Sequence, residues 1–302
     1  MTWLQLLADE LGARGVTGRE RRRIVFELQD HIACEPGCEE RLGDPRELAA
    51  SFADELASAG ARRCAFEVFG ALAFAALALA VSQLATGWTG GYPGFNHGHS
   101  LALFVPAALG MFVASQAALV AGALAALRAL RRRRASTLPA AEIALIRRRA
   151  WVGLLGGVAT MVGLELYVVD FSSVMPAWWL ALVGGLAAAA GATLLVAASR
   201  LVRAGAIVTR TPGSAGHVFD DLPAMRWRWL RGGPWRLGAG ASLSVALAMT
   251  LFEWHAEHSL SEGVQRGVFE GLAAAAGFAL LGRSIGVARK PVDARRGSPA
   301  EE

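Results

Sequence analysis

His31 follows Asp30 in the run Glu27-Leu-Gln-Asp-His-Ile32, and an acid beside an imidazole is the raw material of a proton relay or a general base. No nucleophile stands at a recognisable spacing from the pair, so the plainer expectation is a histidine that packs and hydrogen-bonds near the Gly43-Asp44-Pro45 turn. Cys34-x3-Cys38 with His31 upstream offers three metal-binding side chains, short of the four that close a structural zinc site. Two more groups invite a metal or pH-sensing reading: His97-x-His99, and Glu253, His255, Glu257 and His258. Neutral imidazoles with carboxylates suit zinc or copper, although polar loops that carry histidines without a metal are commoner. Glu165 and Asp170 fall within and near the end of an apolar run. Acids there are functional candidates because burying them is costly, but Glu165 lies close enough to the end of its run to be reached by water. No His-Glu-x-x-His, Gly-x-Ser-x-Gly or phosphate-cradling glycine loop is present. No catalytic residue, no cofactor and no resident metal are therefore expected.

The elements that must position these residues are dictated by apolarity. Of 302 residues, 54% are hydrophobic and 18% charged, too little polar surface for an ordinary soluble domain. Apolar runs of roughly 20 residues, the length that crosses a hydrocarbon core as a helix, fall at about 64–86, 100–126, 150–171, 176–198, 237–254 and 264–282. The expected fold class is all-α, a polytopic membrane protein with about six transmembrane helices. The expected domains are 1–62, a small helical domain, then 63–284, the membrane part, and 285–302, a disordered tail. The first apolar run begins only near Cys64, so no signal peptide is expected.

Arginine placement sets the expected orientation. Segment 127–149 holds eight arginines against the single acid Glu142, and 200–236 holds seven against Asp220 and Asp221. Four more, with Lys290, follow residue 282, whereas 87–99, 172–175 and 255–263 contain no lysine or arginine. The positive-inside rule then gives both termini in the cytosol. The three cysteines fall on that side, where thiols stay reduced. The pI of 9.8 reflects these topology determinants, and no nucleic-acid partner is expected.

Ahead of the apolar runs, one helix-start signature recurs three times: Thr2 with Gln5, Thr17 with Glu20, and Asp44 with Glu47. Pro45 suits a first helical position. Leu4, Leu7 and Leu11, then Ile24, Leu28 and Ile32, then Leu48, Phe52 and Leu56 recur at helical spacing, so three amphipathic helices are expected. Only Ala59-Gly60-Ala61-Arg62-Arg63 separates the third from the first apolar run. That is too short for a flexible tether, and Gly60, the residue there that disfavours helix, is the expected hinge.

The second and third of these segments resemble the HAAS family of signalling membrane proteins. Arg21, Ile24, Glu27, Leu28, Asp30, His31 and Ile32, followed by Leu42, Gly43, Asp44, Pro45, Leu48, Ala49 and Phe52, fall on its pattern. The link between His31 and Leu42 is shorter than the family's. The resemblance covers about the first 60 residues and implies a helical domain before several transmembrane helices. It also implies genes commonly adjacent to PadR-type transcriptional regulators, and a signalling role without catalysis. A cytosolic protein partner is expected on residues 1–62, at Asp30, His31, Gly43, Asp44 and Pro45, with the bilayer of a bacterial plasma membrane as the other partner. A small-solute or ion transporter is the competing expectation, for which Glu165 and Asp170 would be raw material.

Overall fold

The computed structural model describes residues 2–35, 37–89, 101–209 and 211–213, and beyond these 239, 240, 242–247, 250, 251, 254 and 260–284. The described residues are helical, with no strand among them. They fall into two compact units, Met1–Gly216 and His217–Glu302.

In the first unit, helices α1 (Trp3–Ala13), α2 (Gly18–Cys34) and the short α3 (Cys38–Leu42) precede α4, which runs unbroken from Pro45 to Trp88. The expected third amphipathic helix, the five-residue link and the first apolar run are thus one helix of 44 residues, about 66 Å long at 1.5 Å per residue. Gly60 is no break, because the alanines around it are strong helix formers that outweigh a cost of about 1 kcal/mol. After α4 come α5 (Leu101–Ala108), a π-helical turn (Leu109–Ala114), α6 (Ser115–Arg131), α7 (Ala140–Asp170) and α8 (Ala177–Gly205). Pro106, inside α5, removes a backbone donor just before the wider turn. Among the described residues, Pro45–Trp88, Leu109–Arg131, Ala140–Asp170 and Ala177–Gly205 are long and apolar enough to cross a membrane.

The four long helices share one apolar core in which Leu72, Leu154, Leu164, Leu194 and Trp179 are fully buried. Trp179 sits inside and donates from Nε1 to Thr86 Oγ1 at 3.1 Å. The end of α5 and the π-helical turn ride directly on α7: a Cβ on Gly163 would lie 2.8 Å from the Ala107 carbonyl oxygen and 3.0 Å from Gly110 Cα. Only glycine fits there, which lets the two helices pack closely.

A second, smaller core joins α1, α2 and the first turns of α4. Its buried residues are Leu7, Leu11, Val16, Ala49 and Ala53, flanked by Trp3, Ile24, Val25, Leu28, Leu48, Phe52 and Leu56. Leu48, Phe52 and Leu56 were the expected stripe of α4. The alanines one position on are what α1 covers, because small side chains let the axes approach. Of the three start signatures, Thr2 and Gln5 form the reciprocal pair, at 3.3 and 3.0 Å. The Asp44 carboxylate caps the Arg46 amide at 3.1 Å, with Pro45 at the first helical position. Thr17 makes no side-chain cap, because Gly18 takes a positive φ of 66° and turns the backbone amides away from it.

The second unit contains α9 (Leu260–Ser284) and the described helical residues between 239 and 254. Gly263, Gly267 and Gly271 form a ladder at which a Cβ would meet Thr250 or Ala246 within 2.8 Å. Of the expected fifth run, 237–254, residues 237, 238, 241, 248, 249, 252 and 253 lie outside the described residues.

Candidate functional site

Where α4 leaves the small core it enters a polar collar at the arginine-rich end of the bundle. Ser58, fully buried, donates to the Asp54 carbonyl at 2.6 Å and accepts the Leu138 amide at 2.8 Å. One turn on, Arg62 Nη1 donates to the carbonyls of Ala135 at 2.7 Å and Arg132 at 3.2 Å. The loop between α6 and α7 is thereby fastened to α4 at two points. The chain that leaves α8 adds a third: Thr211 Oγ1 donates to Asp54 Oδ2 at 2.5 Å while its carbonyl accepts the Ala140 amide at 3.1 Å. The Val208 amide, in turn, donates to the Arg14 carbonyl at the end of α1, at 3.0 Å. Gly15 is obligatory at that crossing, since φ is 82° and a Cβ would stand 2.2 Å from the Ala206 oxygen.

Buried charge locks the collar. Arg128 and Glu142, each 1% exposed, pair bidentately with Nε to Oε1 and Nη2 to Oε2 both at 2.8 Å. Arg132 Nε reaches the same carboxylate at 3.2 Å. Arg149, fully buried, donates from Nη1 to the Leu124 carbonyl at 3.4 Å, so the ends of α6 and α7 are tied twice. Farther round, Glu67 receives Arg63 at 3.0 Å and Arg200 at 2.6 Å, and Arg147 Nη2 donates to the Ala204 carbonyl at 2.5 Å.

The residues singled out by sequence are distributed more widely. Gly43, at φ 78°, accepts Trp3 Nε1 on its carbonyl at 3.0 Å, and Asp44 and buried Pro45 follow it into α4. These three form one structured turn. Asp30 and His31 stand exposed near the end of α2, and among the described residues no hydrogen bond or ion pair joins them to that turn. Nearer the start of α2, the Arg23 guanidinium is bonded to Glu27 at 2.6 Å, which raises its pKa further above the ordinary value by hydrogen bonding and by charge. Glu165 is half-buried on α7, its Oε2 3.8 Å from the Cβ position of Gly184 on α8. Asp170 is the last residue of α7, about 7.5 Å farther along the axis. A turn of 140° separates the two side chains at 100° per residue, so they do not form one site. Cys34 is exposed and Cys64 buried. Among the described residues no group of three or more His, Cys, Asp or Glu can hold a metal ion; His97, His99, Glu253, His255, Glu257 and His258 lie outside them.

Sequence reasoning missed the collar, having counted its arginines only as markers of orientation. The signal was present in Glu142, a lone acid among eight arginines between 127 and 149. A solvated basic loop has no use for a single carboxylate, whereas a buried arginine demands one. The arrangement is suited to holding the small helical core in fixed relation to the bundle. No family model, no curated protein and no solved structure matches the chain.

Proposed function

We propose that the chain is a non-enzymatic signalling or regulatory protein of a bacterial plasma membrane. Residues 1–62 form a HAAS-type cytosolic domain that binds a protein partner, and six spans with both termini inside carry or sense the state that the domain reports. The supporting observation is the single helix α4, which belongs at once to the small core through Ala49 and Ala53 and to the bundle core through Val68, Leu72 and Ala75. A helix shared in this way converts a shift in the bundle into a tilt of the domain, and the collar at Asp54, Ser58 and Arg62 gives the shift somewhere to act. Asp30, His31 and the Gly43–Pro45 turn remain the partner-surface candidates, all of them at the end of the domain remote from the collar.

The test separates a relay from a tether. Six Gly/Ser residues inserted after Gly60 should abolish the response of the partner's output in cells while the protein still accumulates in the membrane. An unchanged response would mean the domain is merely anchored. Reporter fusions after Arg134 and Gly213 should read as cytosolic and those after Gly94 and Ser261 as external.

One observation favours the transporter reading: α5 and α6 are broken by Pro106 and the π-helical turn, and interrupted helices line substrate paths in many transporters. Under that reading Glu165→Gln would abolish a solute or proton flux in proteoliposomes. Under the signalling reading no flux depends on it.

A further inference from the structure

Charge is sorted along the small helical domain. The stretch Arg14 to Arg23 carries five arginines against Glu20, whereas Glu27 to Glu47 carries seven carboxylates against Arg41 and Arg46. The fold turns this sequence order into direction. The Trp3 bond to Gly43 sets the start of α1 beside the start of α4, and the Val208 bond to Arg14 sets the end of α1 beside the end of α8. Helix α1 therefore runs toward the bundle and α2 runs back, so the arginine-rich turns of α2 lie next to the collar and the carboxylates lie away from it.

Within those turns two guanidiniums stand out. Arg23 is held by Glu27 at 2.6 Å, and Arg21 leans over α1, its Nη1 3.0 Å from the Cβ position of Gly12. Arg19 and Arg22 are exposed, and among the described residues no carboxylate pairs with either. Phe26 follows at seven and four residues' spacing, hence on the same helix face, and is 70% exposed. A face with two uncommitted arginines followed by a bare phenyl ring is built for a surface that is anionic outside and apolar within.

We propose that Arg19, Arg22 and Phe26 form a lipid-facing surface that takes the phosphates of anionic lipids in the leaflet beneath which the domain stands. The proposal rests on the membrane placement given above and deepens it, since it names what fixes the domain on its outer side. Lipid is favoured over an acidic protein by position: Arg19 follows within a few residues of the crossing between Gly15 and Ala206, directly after the last turn of α8. Basic side chains gain from a negative leaflet only within about a Debye length of it. The opposite end, rich in carboxylates, would be repelled by the same leaflet, so the sorting itself holds the domain upright.

The full chain is reconstituted in nanodiscs of phosphatidylcholine containing about one third phosphatidylglycerol, with a trace of headgroup-diazirine phosphatidylglycerol or headgroup-diazirine phosphatidylcholine as the probe. After irradiation and trypsin, the peptide from Ile24 to Arg41, which contains Phe26, should carry the phosphatidylglycerol probe well above the phosphatidylcholine probe. Replacing Arg19 and Arg22 together by glutamine should lower that labelling by up to about 30-fold, from roughly fivefold per basic residue, and lysine at both positions should restore most of it. Peptides from the loop between α6 and α7 report independently on membrane placement. If they label and the Ile24 peptide does not, the basic end faces something other than lipid, such as an acidic protein, and the proposal is overturned. If neither labels, the membrane placement fails first and the proposal with it. Equal labelling by both probes, or labelling indifferent to the glutamine pair, also overturns it.

Discussion

Between Pro45 and Ala53, α4 is gripped mainly by packing, with Leu7, Leu11 and Val16 closing over two alanines and the surface pair of Arg46 with Glu10 added. From Asp54 to Arg62 it is gripped by polar groups, with Ser58 and Arg62 reaching across to the α6–α7 loop and Asp54 to Thr211. The ion pairs near the first region, Arg23 with Glu27 and Arg46 with Glu10, are exposed on the surface. The pair behind the second, Arg128 with Glu142, is sealed from water. An apolar core of alanine and leucine yields gradually when trimmed. A buried charge network does not, because any member left behind is desolvated without a partner. The collar should thus be the brittle part of the molecule and the small core the forgiving one.

The largest effect should come from Glu142→Ala, which strands Arg128 in the interior and should lower the stability of the full chain by about 3–5 kcal/mol, read as a drop in thermal midpoint in micelles. Glu142→Leu combined with Arg128→Met removes both charges and should recover most of that loss. A single mutant no worse than the double would show that the pair is not buried together. Ser58→Ala should be next, at about 1–3 kcal/mol, since the Leu138 amide loses its acceptor in a buried place. A loss below a few tenths would mean that water reaches that amide and the collar is open. Asp44→Ala should cost about 1 kcal/mol, the usual worth of an N-cap, and its effect should fall on the small core, seen as faster amide exchange at Arg46, Glu47 and Leu48. Arg23→Ala should be smallest, with no resolvable change in thermal midpoint, as for other fully exposed i,i+4 pairs. If it rivals Ser58→Ala, the contrast between the two regions is wrong.

The long apolar helices were legible because membrane solvation writes itself into composition over some 20 residues at a time. Asp44, Pro45, Thr2 and Gln5 were legible because capping is a local bargain between residues three apart. The continuity of α4 was half visible: the short link excluded a tether, but Gly60 attracted attention that belonged to the alanines beside it. The collar was hidden because its partners are distant, Ser58 from Leu138 and Asp54 from Thr211, and side chains that bond backbone across such separations leave no periodic trace. The burial of Arg128 beside Glu142 was hidden for another reason. In a run of arginines that reads as an orientation signal, those that turn inward, Arg128 and Arg149, have the same letter as their neighbours.

The continuity of α4 is open to amide exchange in the full chain, measured in nanodiscs by hydrogen–deuterium exchange across Leu56 to Phe66. If one rigid helix joins the small core to the bundle, amides at Ala59 through Arg63 should be protected about as strongly as those at Ala65 and Phe66, with no faster window at Gly60. Exchange at Ala59 to Arg63 faster by orders of magnitude than on either side would show a working hinge there, and would contradict the continuous helix on which the proposed relay depends.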